Sequence, residues 1–289
     1  MPSATPLSQF DMHRLGAALP QLQIEYRRTL TSTNDRALEL AARQNLALPW
    51  LVLADNQTAG RGRRDNRWWS ATGALTFSLV LDAQAALPSA EQWPQLALVA
   101  GLSLCELVEF RWPGLVCGLK WPNDVLLDSR KLAGVLVEVA HRTPRPRSRL
   151  VLGMGINLNN SLAGAPPEIQ RRGVSLHDLT ATPVDPTGFL VDLLQRLQGN
   201  LGRLVAHDAA LAEAWQARCV MRGCFVQVNQ GSRLIAGTCH GIDATGALVV
   251  ETETGRCRLS GGVLEFPIAG PDAARREGEE SPRIERISS

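Results

Sequence analysis

The apolar pattern of this chain changes character once, near residue 219, and that break constrains the fold more than any single motif. Before it, strand-like and helix-like segments are mixed. Leu75, Phe77, Leu79 and Leu81 alternate with Thr76, Ser78 and Val80, the period-2 pattern of a half-buried strand. Residues 50–54 form a shorter apolar strand. Residues 150–158 form another, with Gly153 and Gly155 inside it, and such glycines often mark close approach of a ligand or a second backbone. Thr31, Ser32, Thr33 and Asn34 offer N-capping oxygens to a helix running through residues 37–42. Longer helices fall at 95–110, 186–206 and 209–218, and Val125-Leu126-Leu127, a polar turn at 128–130 and residues 132–139 read as a hairpin. Residues 56–70, with Gly60 and Gly62, and the Pro/Arg-rich residues 142–149 read as loops. Strands and helices without regular βαβ alternation predict an α+β domain. After the break, residues 225–228, 234–242, 247–251 and 256–259 are short strands between glycine-containing turns, which predicts a small all-β barrel. The expected organisation is a polar lead with room for one helical turn (1–24), an α+β domain (25–218), a barrel (219–268) and a disordered tail (269–289).

Composition narrows the function. At 45% hydrophobic and 20% charged, the 289 residues belong to neither a disordered nor a fibrous chain. A net charge of +2 is too small to predict a nucleic-acid partner. No uninterrupted apolar run approaches the ~20 residues that span a bilayer, and the N-terminus lacks the apolar stretch of a secretory signal. Six cysteines without a CxxC pair read as reduced, mostly buried thiols. Cys219, Cys224, Cys239 and Cys257 lack the paired spacing of a zinc site, so no zinc is expected. His141, His177, His207 and His240 are scattered without ligand spacing. The expectation is a cytoplasmic protein with neither membrane nor nucleic acid among its partners.

Of 30 basic residues only Lys120 and Lys131 are lysine, and both fall within one twelve-residue stretch. Genome composition explains the arginine bias, but that stretch is the first place to look for chemistry. It reads Lys120-Trp121-Pro122-Asn123-Asp124, with Lys131-Leu132-Ala133-Gly134 returning beyond the turn. A compact ammonium suits a phosphate or carboxylate oxygen, and Asp124 suits Mg²⁺ held jointly by phosphates; an ordinary hairpin accounts for the string equally well. A second constellation is Gly60-Arg61-Gly62-Arg63-Arg64, followed by Arg67-Trp68-Trp69-Ser70. Glycines admit an anion close to the backbone and guanidiniums supply paired donors. Alone, it fits a solvated loop, a phosphate site or a nucleic-acid segment. A third is Gly153-Met154-Gly155-Ile156-Asn157, where the asparagine suits a base edge or simply a turn. P-loop, dinucleotide, GxSxG and HExxH motifs do not occur.

The order of these strings is more specific than any one of them. Ser32-Thr33-Asn34, then Gln57 three residues before Gly60-Arg61-Gly62-Arg63-Arg64, then Lys120-Trp121-Pro122-Asn123-Asp124, Lys131-Leu132-Ala133-Gly134 and Gly155-Ile156-Asn157 resembles the biotin–protein ligase family over about residues 28–266. The resemblance implies a class II synthetase-like α+β catalytic domain with a mixed sheet, and a C-terminal SH3-like β-barrel. It implies biotin as substrate, with ATP and Mg²⁺, and a biotin carboxyl carrier protein or domain of an acyl-CoA carboxylase as partner; the enzyme would be a monomer or a homodimer. Biotin's carboxylate would attack the α-phosphate to give biotinyl-5′-AMP, and a carrier lysine would then take the biotinyl group. By the same resemblance Ser32, Thr33, Asn34 and Gln57 would hold the biotin ring and its ureido group. Arg61, Gly62 and Arg63 would close over biotin and adenylate. Lys131, with Arg63, would be catalytic, contacting both carboxylate and α-phosphate. Arg61, Trp68, Asn123, Lys131 and Asn157 would serve the nucleotide and Asp124 the metal. This chain departs from the family at Asp65-Asn66, where Gly-Arg commonly follows GRGRR; the lost glycine and added negative charge predict looser closure of that loop. The short lead before Thr31 also predicts a single-function enzyme without a helix-turn-helix domain. The rivals are a lipoate–protein ligase, a non-catalytic biotin-responsive regulator and an RNA-binding protein built on the arginine loop.

Overall fold

A computed structural model of the protein describes residues 8–140 and 148–265. In chain order its elements are α1 (Met12–Ala18), β1 (Gln23–Leu30), α2 (Thr33–Ala41), β2 (Trp50–Gln57), β3 (Leu75–Asp82), α3 (Ala83–Ala86), α4 (Leu96–Arg111), β4 (Cys117–Lys120), β5 (Asp124–Leu127), β6 (Arg130–Ala140) and β7 (Arg149–Ile156). They continue with α5 (Pro167–Arg172), α6 (Leu176–Thr180), α7 (Pro186–Val205), α8 (Ala209–Arg218), β8 (Phe225–Gln230), β9 (Arg233–Ile242), β10 (Leu248–Thr252), β11 (Gly255–Leu259) and β12 (Val263–Glu265). Seven strands form one mixed sheet in the order β1-β2-β3-β7-β6-β5-β4, with β1 and β2 its parallel pair. The other five form an antiparallel sheet in the order β11-β10-β9-β8-β12.

The large sheet is covered on both faces, which corrects the half-buried reading of β3. Leu75, Phe77 and Leu79 point into the main core with α4 and α7, whereas Val80 packs with Val52 and Val151 under Ala37, Leu40 and Ala41 of α2. Thr76 and Ser78 share that second face and are fully buried rather than solvated. A two-sided strand still alternates in polarity here because its second face holds a polar site. Strand β1 was not anticipated: Ile24 and Tyr26 alternate with Gln23, Glu25 and Arg27 and pack on the core, but the charged Arg28 and polar Thr29 break the pattern on this edge strand. The expected lead is also more than a lead. Phe10, Leu15 and Leu19 around α1 are buried in the main core, and Asp11 caps the helix by accepting from Arg14 N–H at 2.9 Å.

Residues 90–111 are long and apolar enough to cross a membrane by length and mean hydropathy, although no uninterrupted apolar run within them reaches that length. In this fold α4 is instead the central core helix, buried from Leu96 to Val108 between the sheet and α7. The C-terminal strands follow the expected pattern with β12 added beside β8. The sheet is open in its pairing order, with no β11–β12 ladder among the described residues, so the expected barrel closure is not seen. Its core is continuous with that of the larger sheet through Val226, Leu248 and Val250, and Trp121 Nε1 donates to the Gly246 carbonyl at 3.0 Å. The expected tail beyond Pro271 lies outside the described residues, as does most of the Pro/Arg-rich loop.

Arg149, assigned to that loop, begins β7 and is buried. Its guanidinium donates to the carbonyls of Ala41 at 2.9 Å and Arg43 at 2.8 Å, closing the C-terminal end of α2 with a charge that complements the helix dipole. Arg149→Leu strands these carbonyls away from water. It is expected to lower unfolding free energy by about 1.5–3 kcal/mol, measured by urea denaturation, and a loss under 0.5 kcal/mol would show that the cap is dispensable.

Candidate active site

The turn from β1 into α2 places three polar side chains over the middle of the sheet. Ser32, extended at φ −155°, caps α2 by accepting from Asp35 N–H at 3.3 Å, which sets Thr33 and Asn34 in the first turn. Gln57 Oε1 accepts from Thr33 N–H at 2.7 Å and from Thr33 Oγ1 at 3.2 Å. Ser78 Oγ donates within reach of both Thr33 Oγ1 (2.9 Å) and Asn34 Oδ1 (2.7 Å), and Asn34 Nδ2 donates to Glu138 at 2.9 Å. All four expected residues are almost inaccessible to water. The approach requires Gly153 on β7, because a Cβ there would overlap the Asn34 amide. Ser78, Glu138 and Asp35 escaped the sequence reading. Ser78 was hidden by being read as the solvent side of an alternating strand.

The arginine loop is a tight hairpin. Arg61 and Arg67 pair across it, Gly62 N–H donates to the Asn66 carbonyl at 2.8 Å, and Arg64 sits in the left-handed region at φ 56°. Arg61 bonds Glu138 at 2.8 and 3.0 Å and Asp35 at 2.7 Å, and these carboxylates raise its already high pKa. Its charge is therefore balanced within the protein. Arg63 differs: it donates to the neutral Asn123 Oδ1 (3.2 Å) and the Gly262 carbonyl (3.3 Å), and burial together with neighbouring Arg64 lowers its pKa from the ordinary guanidinium value.

The β5–β6 hairpin turns through Asp128 and Ser129, both at positive φ, and brings Lys131 Nζ to 2.8 Å from Asp124 Oδ1. Gly134 leaves room for this lysine, since a Cβ there would stand 3.2 Å from Nζ. Trp68 lies flat on Gly155, its ring centroid 5.9 Å from Lys131 Nζ and its Nε1 buried without a partner. Asn123 ties the β5 start to Val135 through its Nδ2 (2.8 Å). Burial lowers the Lys120 pKa, with Lys131 and Arg172 adding to the effect and Asp124 opposing it.

One cavity of about 880 Å³ joins these groups, within the size range of small-molecule sites. Its lining combines Ser32, Thr33, Asn34 and Gln57, uncharged and rich in hydrogen-bonding groups, with Arg61, Arg63, Arg64, Arg67, Lys120, Lys131, Arg171 and Arg172, and Asp124 is the one carboxylate among them. Every expected site residue lines it except Asn157. That side chain lies behind the wall, donating to the Lys131 carbonyl at 3.2 Å and accepting from Asn160 at 3.1 Å. A smaller cavity of about 450 Å³ on the C-terminal sheet sets Arg222 and Arg256 beside Asp243 and lacks this one-sided field. Among the described residues no group of three or more His, Cys, Asp and Glu is arranged to hold a metal alone. The larger cavity suits a ligand with a neutral polar head and a polyanionic tail. Gly153→Ala displaces the Asn34 amide and is expected to cost about 1–3 kcal/mol of stability by overpacking. Thermal melts of wild type and variant test this, and coincident midpoints would contradict it.

Known proteins supply the context for this geometry. Residues 26–157 match the biotin/lipoate A/B protein ligase family. The chain is 36% identical to the biotin–[acetyl-CoA-carboxylase] ligase of Paracoccus denitrificans, covering 78% of this chain and 92% of that protein. It is 32% identical to the Mycobacterium tuberculosis enzyme of the same name, with 82% and 86% covered. The structure superposes on the biotin protein ligase from Aquifex aeolicus in complex with biotin and ATP with a TM-score of 0.70 at 29% identity, over 84% of this chain and 97% of that one. With this extent of similarity, and the matching strings gathered around one cavity, the chain belongs to the biotin/lipoate protein ligase family.

Proposed function

We propose that the protein is an ATP-dependent biotin–protein ligase that makes biotinyl-5′-AMP and passes the biotinyl group to a lysine of a biotin carboxyl carrier protein. The observation that carries this reading is the meeting of a neutral hydrogen-bonding pocket and a cation-lined pocket at Lys131 in one cavity. Thr33 and Gln57 present polar groups to the biotin ring and ureido group, while Ser32 and Asn34 fix the shape of that pocket. The first step joins two anions, so its barrier is dominated by charge repulsion and by charge developing on phosphate oxygens. Preorganised cations in a sheltered site offset both. Lys131 and Arg63 stand at the junction: the biotin carboxylate oxygen forms a bond to the α-phosphorus, and pyrophosphate leaves with the electron pair of the broken P–O bond. The carrier lysine, as free amine, then attacks the carbonyl of the mixed anhydride and AMP leaves. Trp68, with its buried unpartnered Nε1, and Asn123 serve the nucleotide. Asn157 serves it indirectly, by holding the Lys131 backbone.

Magnesium binds through one or two carboxylates together with substrate phosphates. Asp124 fits as the single carboxylate of the cavity wall. The ion would there neutralise phosphate charge. We place the enzyme in the cytoplasm, acting as a monomer or homodimer.

The direct test incubates purified protein with biotin, MgATP and a carrier domain and reads the product by avidin blot. Biotin transfer is expected, with Lys131→Ala slower by about 10²–10³-fold, the usual cost of one electrostatic stabiliser. Wild-type rates in the variant would refute the role of Lys131, and transfer of lipoate in place of biotin would refute the substrate. Asp65 stands exposed on the arginine hairpin, one residue beyond the left-handed Arg64. Asp65→Gly is expected to slow release of biotinyl-AMP to solution, measured by trapping free adenylate; an unchanged release rate would contradict it.

A further inference from the structure

Helix α5 ends beside the catalytic lysine. Gly173 bridges Lys131 in parallel register, and Val174 N–H donates to the Lys131 carbonyl at 3.1 Å. The two residues before this bridge, Arg171 and Arg172, are exposed at the cavity and line it. Several arginines among the described residues are already paired: Arg61, Arg111, Arg203, Arg218 and Arg258 each hold a carboxylate. Arg171 and Arg172 make no ion pair or hydrogen bond to another side chain among the described residues. A six-residue helix accounts for basic residues in its last turn through its small dipole, but not for their facing the cavity. Arg172 also stands near enough to Lys120 for its charge to act on that group, behind burial and Lys131. Asp124 offsets part of this charge at Lys131 and Lys120, but no carboxylate of the described residues holds Arg171 or Arg172.

Position along β6 gives these charges a direction. Glu138 marks the end bonded to Asn34, Leu136 lines the cavity next, the Lys131 ammonium lies beyond it beside Gly134, and the Lys131 backbone is three residues further along the strand. The α5 terminus joins at the Lys131 level. A nucleophile arriving from the Asn34 end therefore meets the α-phosphate near Lys131, and an in-line leaving group departs on the far side. We propose that Arg171 and Arg172 bind the β- and γ-phosphates of ATP and hold pyrophosphate as it leaves. This rests on the ligase reading and adds to it two residues that none of the motif strings contains.

The test measures binding of inorganic pyrophosphate, AMP and biotin to the full chain by calorimetry, for wild type, Arg171→Ala/Arg172→Ala and Arg171→Lys/Arg172→Lys. The double alanine variant is expected to weaken pyrophosphate binding tenfold or more while AMP and biotin change less than twofold, and the lysine variant should recover much of the loss. Steady-state turnover should show a raised KM for ATP with a raised inhibition constant for pyrophosphate. Unchanged pyrophosphate affinity, or equal weakening of AMP and pyrophosphate, would overturn the assignment. Biotin-dependent exchange of pyrophosphate into ATP by wild type separates the two ideas. Its absence overturns the ligase reading and this one with it, whereas exchange that depends identically on pyrophosphate in wild type and variant overturns only the role of the two arginines.

Discussion

The contact of Asn34 with the bare backbone of Gly153 organises the polar half of this molecule. Because β7 carries no side chain at that point, the first turn of α2 sits directly on the sheet, and the Asn34 amide reaches Ser78 on β3 and Glu138 on β6 at once. Glu138 then fixes Arg61, and Arg61 anchors one side of the arginine hairpin. A chain of buried and half-buried, mutually paired polar groups thus runs from a helix cap to the arginine hairpin that lines the cavity. Such networks are costly when any member lacks a partner, and rigid when all are satisfied. Arg149, capping the other end of α2, keeps the same helix in place from behind.

The arrangement separates two kinds of positive charge. Arg61 is neutralised by Glu138 and Asp35 and acts as a strut. Arg63, Lys120, Arg171 and Arg172 face the cavity without carboxylate partners among the described residues, and Lys131 keeps one partner in Asp124. The scarcity of lysine acquires a meaning here. An enzyme that generates a lysine-reactive anhydride keeps just two lysines, one of them an ion-paired ammonium, which has no lone pair to attack with. Arginine elsewhere in the chain supplies charge without a nucleophilic amine.

Much of this was legible in the residues themselves. The Ser32 cap, the β5–β6 hairpin and the glycines of β7 follow from local chemistry, which a single sequence records directly. The gathering of Gln57, Lys131 and Asn34 around one cavity was legible only through the resemblance, since their juxtaposition depends on strand order. Other features were hidden for physical reasons. Ser78 looked solvent-facing because alternation reports polarity, not which face a second layer covers. Strand β1 is an edge strand whose pairing is made by backbone, so its charged side chains masked it. Arg149 looked like loop because its partners are carbonyls more than a hundred residues away in sequence. Asn157 was legible as a site residue yet lies behind the wall, because a motif records proximity to function without recording which way a side chain turns.

The central claim is that one cavity brings a biotin carboxylate and an ATP α-phosphate together at Lys131. Mixing the purified protein with biotin and MgATP in the absence of any carrier, and measuring pyrophosphate released in the first turnover, tests it most directly. The account predicts a burst of about one equivalent per chain, followed by slower turnover as biotinyl-AMP is released, and no burst with lipoate. Failure to release pyrophosphate with biotin, or an equal burst with lipoate, would contradict it.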